Sequence, residues 1–209
     1  MQRSRIDAKE VRKVLTNEDK KGFYVRFINP IEPVDKRTWR LEVSGLCENP
    51  GSFDLESLKS LRKTTQVSRL KCVESWSAKA EWGGFRPVEL FKIVKPKREA
   101  KYAYFYSKDE YYEFISMEDL LHPRTLFAYE MNGLPIPDEH GAPLRLIIPP
   151  KYGYKSIKTI LKMVFVEKEE NGYWANYGYS NEATIQPGLD YALDLEKYIR
   201  VDEPGELKY

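Results

Sequence analysis

No apolar run in this chain is long, and each is soon stopped by a turn residue. Trp39, Leu41 and Val43 alternate with Arg40, Glu42 and Ser44, the period of a half-buried strand, and Gly45 ends the pattern. Further strand-like runs follow at Val67 to Val73, Lys101 to Ser107, Tyr111 to Ile115, Thr125 to Met131, Leu144 to Ile148 and Ile160 to Val166. Helical signals are brief. Asp54 can cap a helix carrying Leu55, Leu58 and Leu61, Pro87 suits the first turn of one holding Leu90, Phe91 and Val94, and Ser116 to Leu121 forms a third. Near the start, Asp7 and Glu10 form a capping-box pattern ahead of Val11, Val14 and Leu15. Asn49-Pro50-Gly51 and Asn132-Gly133 read as turns, and Gly83-Gly84 as a break in the chain before Pro87.

Many short strands with a few short helices predict an α+β fold with mixed and antiparallel sheets. No period of 20–50 residues repeats, which excludes solenoids and propellers. A length of 209 residues suits one domain spanning 1–209, with an N-terminal helical arm over 1–20. The segment after Asn171 is aromatic and weakly patterned, and residues 184–209 read as a tail.

Composition bounds the function classes. A formal charge of +2 supplies no basic field for nucleic acid. No stretch approaches the roughly 18 apolar residues of a membrane helix. The polar start Met1-Gln-Arg-Ser-Arg lacks a signal-peptide core, so a cytoplasmic location is expected. Dinucleotide and phosphate-loop glycine motifs are missing, as is a G-x-S-x-G elbow. The only histidines are His122 and His140, too few for the usual zinc or non-haem iron sets unaided.

Two segments carry unusual chemistry. In the first, Cys72 ends a strand-like run close to Arg69 and Lys71. Neighbouring cations favour a thiolate, whereas a buried cysteine acts as a small hydrophobe. In the second, Arg145, Lys151, Lys155 and Lys158 gather around glycines and aromatics, which suits either a phosphate-bearing ligand or a solvated basic hairpin.

Together these segments resemble the molybdopterin-binding domain of the sulfite oxidase family, including its bacterial methionine sulfoxide reductase branch. Leu70-Lys71-Cys72-Val73-Glu74-Ser75-Trp76-Ser77 is similar to that family's metal-cysteine signature. Ala128-Tyr129-Glu130-Met131-Asn132-Gly133, followed by His140-Gly141-Ala142-Pro143-Leu144-Arg145, is similar to its second signature. The likeness runs from about Phe23 to about Ala183.

The resemblance implies a pyranopterin whose dithiolene sulfurs hold molybdenum, or tungsten in its place, with Cys72 as the protein ligand. His140 and Arg145 match positions that bind the pterin or its phosphate, Ser156, Ile157 and Lys158 match the cofactor loop, and Ser107 falls near a further contact. Tyr24, Val25 and Arg26 stand where sulfite oxidases carry Phe-Phe-x-Arg-Asn-His, and Arg26 matches the arginine that faces the substrate anion. Here Phe27 and Ile28 replace the Asn-His pair, which tilts the expected substrate from sulfite toward a less charged oxo-compound. Tyr179, in preference to Tyr177, matches an active-site tyrosine. Trp76 and Trp82 are expected as pocket wall and core, Cys47 as a structural thiol, and Arg69, Lys71 and Arg86 at the surface.

The implied activity is oxygen-atom transfer to or from a small substrate. Without a C-x-x-C-H haem motif or enough cysteines for an iron–sulfur cluster, the chain needs an external electron carrier, a cytochrome or similar. A monomer is expected. The competing reading is a non-catalytic module that keeps the fold for cofactor binding or interaction.

Overall fold

The computed structural model describes residues 23–30 and 32–209. The helical arm expected over 1–20 lies outside the described residues. The elements in order are β1 (Arg40–Gly45), β2 (Gly51–Asp54), α1 (Leu55–Lys59), β3 (Lys63–Lys71), β4 (Trp76–Phe85), α2 (Pro87–Val94), β5 (Tyr102–Ser107), β6 (Tyr112–Ser116), α3 (Met117–Leu121), β7 (Leu126–Met131), β8 (Leu134–Pro135), β9 (Arg145–Ile147), β10 (Ile160–Val166), β11 (Gly188–Ala192) and β12 (Lys197–Val201). Short 3-10 turns occupy Asp138–His140, Gly153–Lys155 and Trp174–Tyr177. No helix among the described residues is long and apolar enough to cross a membrane.

The helices start where their caps require. Asp54 accepts a hydrogen bond from the Ser57 amide at 2.7 Å, Ser116 accepts from the Asp119 amide at 3.0 Å, and Pro87 opens α2. The strands form two sheets. A five-stranded sheet runs β2-β1-β10-β5-β6, with β1 and β10 parallel and the other pairs antiparallel. A seven-stranded sheet runs β12-β11-β4-β7-β8, with β3 added on β4 and β9 on β7. This is the mixed and antiparallel α+β arrangement that the short alternating runs predict.

Strand β7 shows how the core is divided. Phe127 and Tyr129 enter the main cluster, which also takes Leu41, Phe105, Ile160 and Phe165 from the other sheet and Leu58, Leu90 and Leu120 from the helices. Leu126 and Ala128 point to the opposite face, where Leu70, Trp82 and Ile147 form a smaller cluster against Phe23. A strand buried on both faces reads as a continuous apolar run, as β7 does. The same alternation in β9 sends Leu146 to the main core and leaves Arg145 on the Trp82 side with Ile147.

Two departures from the sequence reading follow from local physics. Gly83-Gly84 does not break the chain. Both glycines lie inside β4, at a bulge in its pairing with β7. A Cβ at Gly84 would lie 1.8 Å from the Phe127 carbonyl oxygen, so the strands meet this closely only over glycine. The region after residue 184 is more than a tail. β11 and β12 form a hairpin, and β11 joins β4 in parallel at Trp76 and Ser77. Its third apolar cluster is Ile185, Val201 and Leu207.

Gly84→Ala is expected to destabilise the domain by about 3 kcal/mol, the upper end for overpacking against rigid backbone. At this chain size that is a fall in Tm of roughly 6–12 °C by calorimetry.

Candidate active site

The turn between β3 and β4 carries the cysteine. Cys72 donates its amide to the Trp76 carbonyl at 2.8 Å, and Ser75 closes the turn with a φ of 64°. The Cys72 side chain faces a cavity of about 330 Å³. Other parts of the wall come from the 23–28 segment except Val25, from Ser107 at the end of β5, from His140 and Arg145, from the 153–158 loop except Lys155, and from Trp174 and Tyr179.

Arg69 and Lys71 do not lie at the surface and do not activate Cys72. They alternate onto the same side of β3 and are 1% and 4% exposed. Arg69 makes a bidentate pair with Asp194 at 2.5 and 2.7 Å, and Lys71 reaches Asp190 at 2.7 Å. Ser77 and Tyr209 donate to the other Asp190 oxygen. Each cation is thereby committed to an acid, Asp190 within β11 or Asp194 just after it. Burial pushes the Cys72 thiol up to about 11; the Glu74 amide opposes the rise, and the Glu74 carboxylate adds to it. Arg86 is half-buried and donates to the Thr125 carbonyl at 3.0 Å.

The opposite wall holds cations of another kind. Buried Arg145 donates to the carbonyls of His140 at 2.7 Å and Ser156 at 3.2 Å, and its guanidinium lies 5.0 Å from the Trp82 ring centre. Its Nε is buried without a partner. Burial lowers its pKa to about 9, with no acid to offset the cost. Lys158 donates to the Arg26 carbonyl and sits 3.4 Å from the Phe27 ring centre. Its pKa is held well below the usual lysine range, first by burial and then by Arg145, with Asp109 opposing and Arg26 adding to the fall.

The other expected residues take these places. His140 is buried, lines the cavity and meets the Phe23 ring edge-on at 5.9 Å. Ser107 donates to the Lys158 carbonyl at 2.6 Å, and the Ser156 hydroxyl accepts from the Ile148 amide at 3.0 Å. Ile157 and Tyr24 line the cavity; Val25 does not. Tyr179 lines it at 40% exposure, whereas Tyr177 is 63% exposed and stands outside. Trp76 forms wall and Trp82 core, as expected, and Cys47 is buried.

Sequence reasoning missed Glu74, Trp174 and the buried pair Glu113–Lys155. The signal for Glu113 was a lone acid within the apolar run Tyr111 to Ile115. Glu113 is 1% exposed; its carboxylate receives Lys155 at 2.7 Å and the Tyr111 hydroxyl at 3.0 Å. Lys155 also donates to the Phe114 carbonyl at 3.0 Å and to Asn181 at 3.5 Å. Asn181 in turn accepts from the Gly172 amide at 3.1 Å. A Cβ at Gly172 would fall 1.7 Å from the Glu113 carboxylate, so this loop crosses the ion pair only as glycine.

A buried arginine with an orphaned donor, a neighbouring depressed lysine and a thiol opening on the same cavity fit a group that carries both a phosphate and a soft, thiolate-binding metal. Among the described residues no group of three or more His, Cys, Asp or Glu could hold a metal. A single cysteine suits a metal that brings its other ligands with it. A family model described as oxidoreductase molybdopterin binding domain matches residues 28–174. The chain belongs to this family. Such domains hold molybdenum on a pterin, and the cavity residues match that group.

The protein-methionine-sulfoxide reductase catalytic subunit MsrP of Xanthomonas campestris pv. campestris is 36% identical over 174 residues, covering 73% of this chain and 53% of that protein. The putative protein-methionine-sulfoxide reductase subunit YedZ1 of Azospira oryzae is 36% identical over 150 residues, covering 72% of this chain and 57% of that protein. This molybdopterin-binding chain thus spans about half the length of the curated relatives it matches. The crystal structure of the sulfane dehydrogenase SoxCD from Paracoccus pantotrophus superposes with a TM-score of 0.63 at 23% identity, covering 66% of this chain and 40% of that one. That likeness bears out the sulfite-oxidase-like fold.

Two measurements test the electrostatics. Lys155→Met leaves Glu113 buried and unpaired and is expected to cost about 3–5 kcal/mol in urea denaturation, with much of the loss recovered in Lys155→Met/Glu113→Leu. For Lys158 the folded state releases its proton below the ordinary value of 10.5. The unfolded state therefore holds more protons in that window, and the stability of cofactor-free protein rises with pH up to about 10.5. Lys158→Met should flatten that rise and raise the Tm of the cofactor-free protein near neutral pH.

Proposed function

We propose that this chain is the catalytic domain of a molybdenum-dependent reductase that removes oxygen from uncharged S-oxides such as methionine sulfoxide, with electrons drawn from a separate carrier. The observation that carries the reading is the Cys72 thiol facing a cavity that also holds Arg145, buried with no acid beside it, and Lys158, neither of them in an ion pair among the described residues. The names of the relatives, both sulfoxide reductases, support the direction of the reaction.

In this reading Arg145 and Lys158 bind the cofactor phosphate, Ser107, His140, Ser156 and Ile157 hold the pterin, and the Cys72 thiolate ligates the metal. When bound, the cofactor supplies a metal centre that accepts the substrate oxygen and passes on two electrons. The protein supplies position and environment. Phe27 and Ile28 make one side of the cavity apolar where an anion-binding site needs donors. Trp174 and Tyr179, with ring centres 5.5 Å apart, form the outer wall and shield the reacting atoms from water. The Tyr179 hydroxyl donates a hydrogen bond to the substrate oxygen, favouring its departure from sulfur.

The test is elemental analysis and turnover of protein from a cofactor-competent host. Near-stoichiometric molybdenum (or tungsten) is expected, with methionine sulfoxide reduction by an artificial electron donor. Cys72→Ser should cut that turnover by more than roughly a hundredfold, the upper end for changes one shell farther out. Good sulfite oxidation with no sulfoxide reduction would overturn the reading.

A further inference from the structure

One feature of the cavity bears on which substrates enter it. Arg26 matches the arginine that faces the anion in sulfite oxidases, yet its guanidinium is not free: Nη2 donates to Glu74 Oε2 at 3.2 Å. The same oxygen accepts from the Trp76 indole at 3.3 Å and lies 3.8 Å from Cys72 Sγ. Tyr24 holds the group together from outside, with Arg26 5.7 Å from its ring centre and Trp76 edge-on at 5.0 Å. All of these residues line the cavity.

We infer that Glu74 is a specificity-determining residue: it occupies Arg26 and admits uncharged S-oxides while turning away oxyanions such as sulfite and sulfate. The inference rests on the reductase reading above. An anion that reaches for Arg26 must displace the Glu74 carboxylate or sit beside it, and like charges at such short range repel. Two donors on one oxygen, the Arg26 guanidinium and the Trp76 indole, aim the half-exposed Glu74 carboxylate at Arg26, and the Glu74 amide, which donates to Cys72 Sγ at 3.5 Å, fixes the turn that carries it. An uncharged S-oxide meets no such penalty and still finds a donor in the Tyr179 hydroxyl. Specificity here comes from a repulsive element as much as from an attractive one. The apolar Phe27 and Ile28 act in the same direction.

The test uses cofactor-loaded protein and sulfate as an unreactive oxyanion, with potassium chloride at matched ionic strength as the control. Sulfate binding is read by thermal shift and calorimetric titration, and separately as inhibition of methionine sulfoxide turnover. Wild type should show little response. Glu74→Gln should bind sulfate at least about tenfold more tightly and become competitively inhibited by it, and Glu74→Gln/Arg26→Gln should lose both effects. Wild type binding sulfate as tightly as Glu74→Gln, or a gain that persists without Arg26, would overturn the inference. A loaded protein that reduces no S-oxide would instead defeat the reductase reading, while the binding measurements on the same variants still decide whether Glu74 masks Arg26.

Discussion

The Lys155 ammonium is the buried point at which three separate parts of the chain are joined. Through Glu113 and the Phe114 carbonyl it is fixed to β6, through its own backbone to the 3-10 turn that leads into Ser156, Ile157 and Lys158, and through Asn181 to the loop bearing Trp174 and Tyr179. The inner and outer walls of the cavity are therefore set by one buried group. Such a pair gains little over apolar packing, since desolvation consumes much of the Coulomb energy. Its value lies in geometry: an ammonium with fixed acceptors has one satisfying position, and the loops must adopt the conformation that provides it.

Against this compensated pair stand Arg145 and Lys158. The chain matches Arg69, Lys71 and Lys155 to acids, and each match holds structure together. Arg145 is buried with no acid beside it, and Lys158 is crowded by it and by Arg26, with only Asp109 acting against them. The distinction separates cations that build the fold from those that the proposed function assigns to an anionic ligand. Burial alone would not have made it, for both kinds are withdrawn from water.

Much of the fold could be read from sequence because its signals are local. Asp54 and Ser116 cap helices within a turn of themselves, Pro87 needs only its own ring, and the alternation in β1 reports directly on one buried face. The Cys72 signature and the Ser156-Ile157-Lys158 loop were legible as residue patterns, and they meet at one cavity. What escaped depends on distant partners. Gly83 and Gly84 are poor strand formers alone and lie within β4 because β7 comes too close there for a larger residue. The fate of Lys71 and Arg69 was decided by acids 119 and 125 residues away. The β11–β12 hairpin draws its reason to fold from β4, which no local pattern reveals.

These two cations have a further consequence for the life of the protein in a cell. On the proposed reading, a cavity wall of mutually repelling charges stores free energy that a bound phosphate would release, so ligand occupancy and resistance to unfolding would rise together. Molecules that fail to acquire their prosthetic group sit closer to the unfolding threshold and open more often to proteases. On that reading the charge arrangement would work as a maturation checkpoint, lengthening the lifetime of completed molecules and shortening that of empty ones.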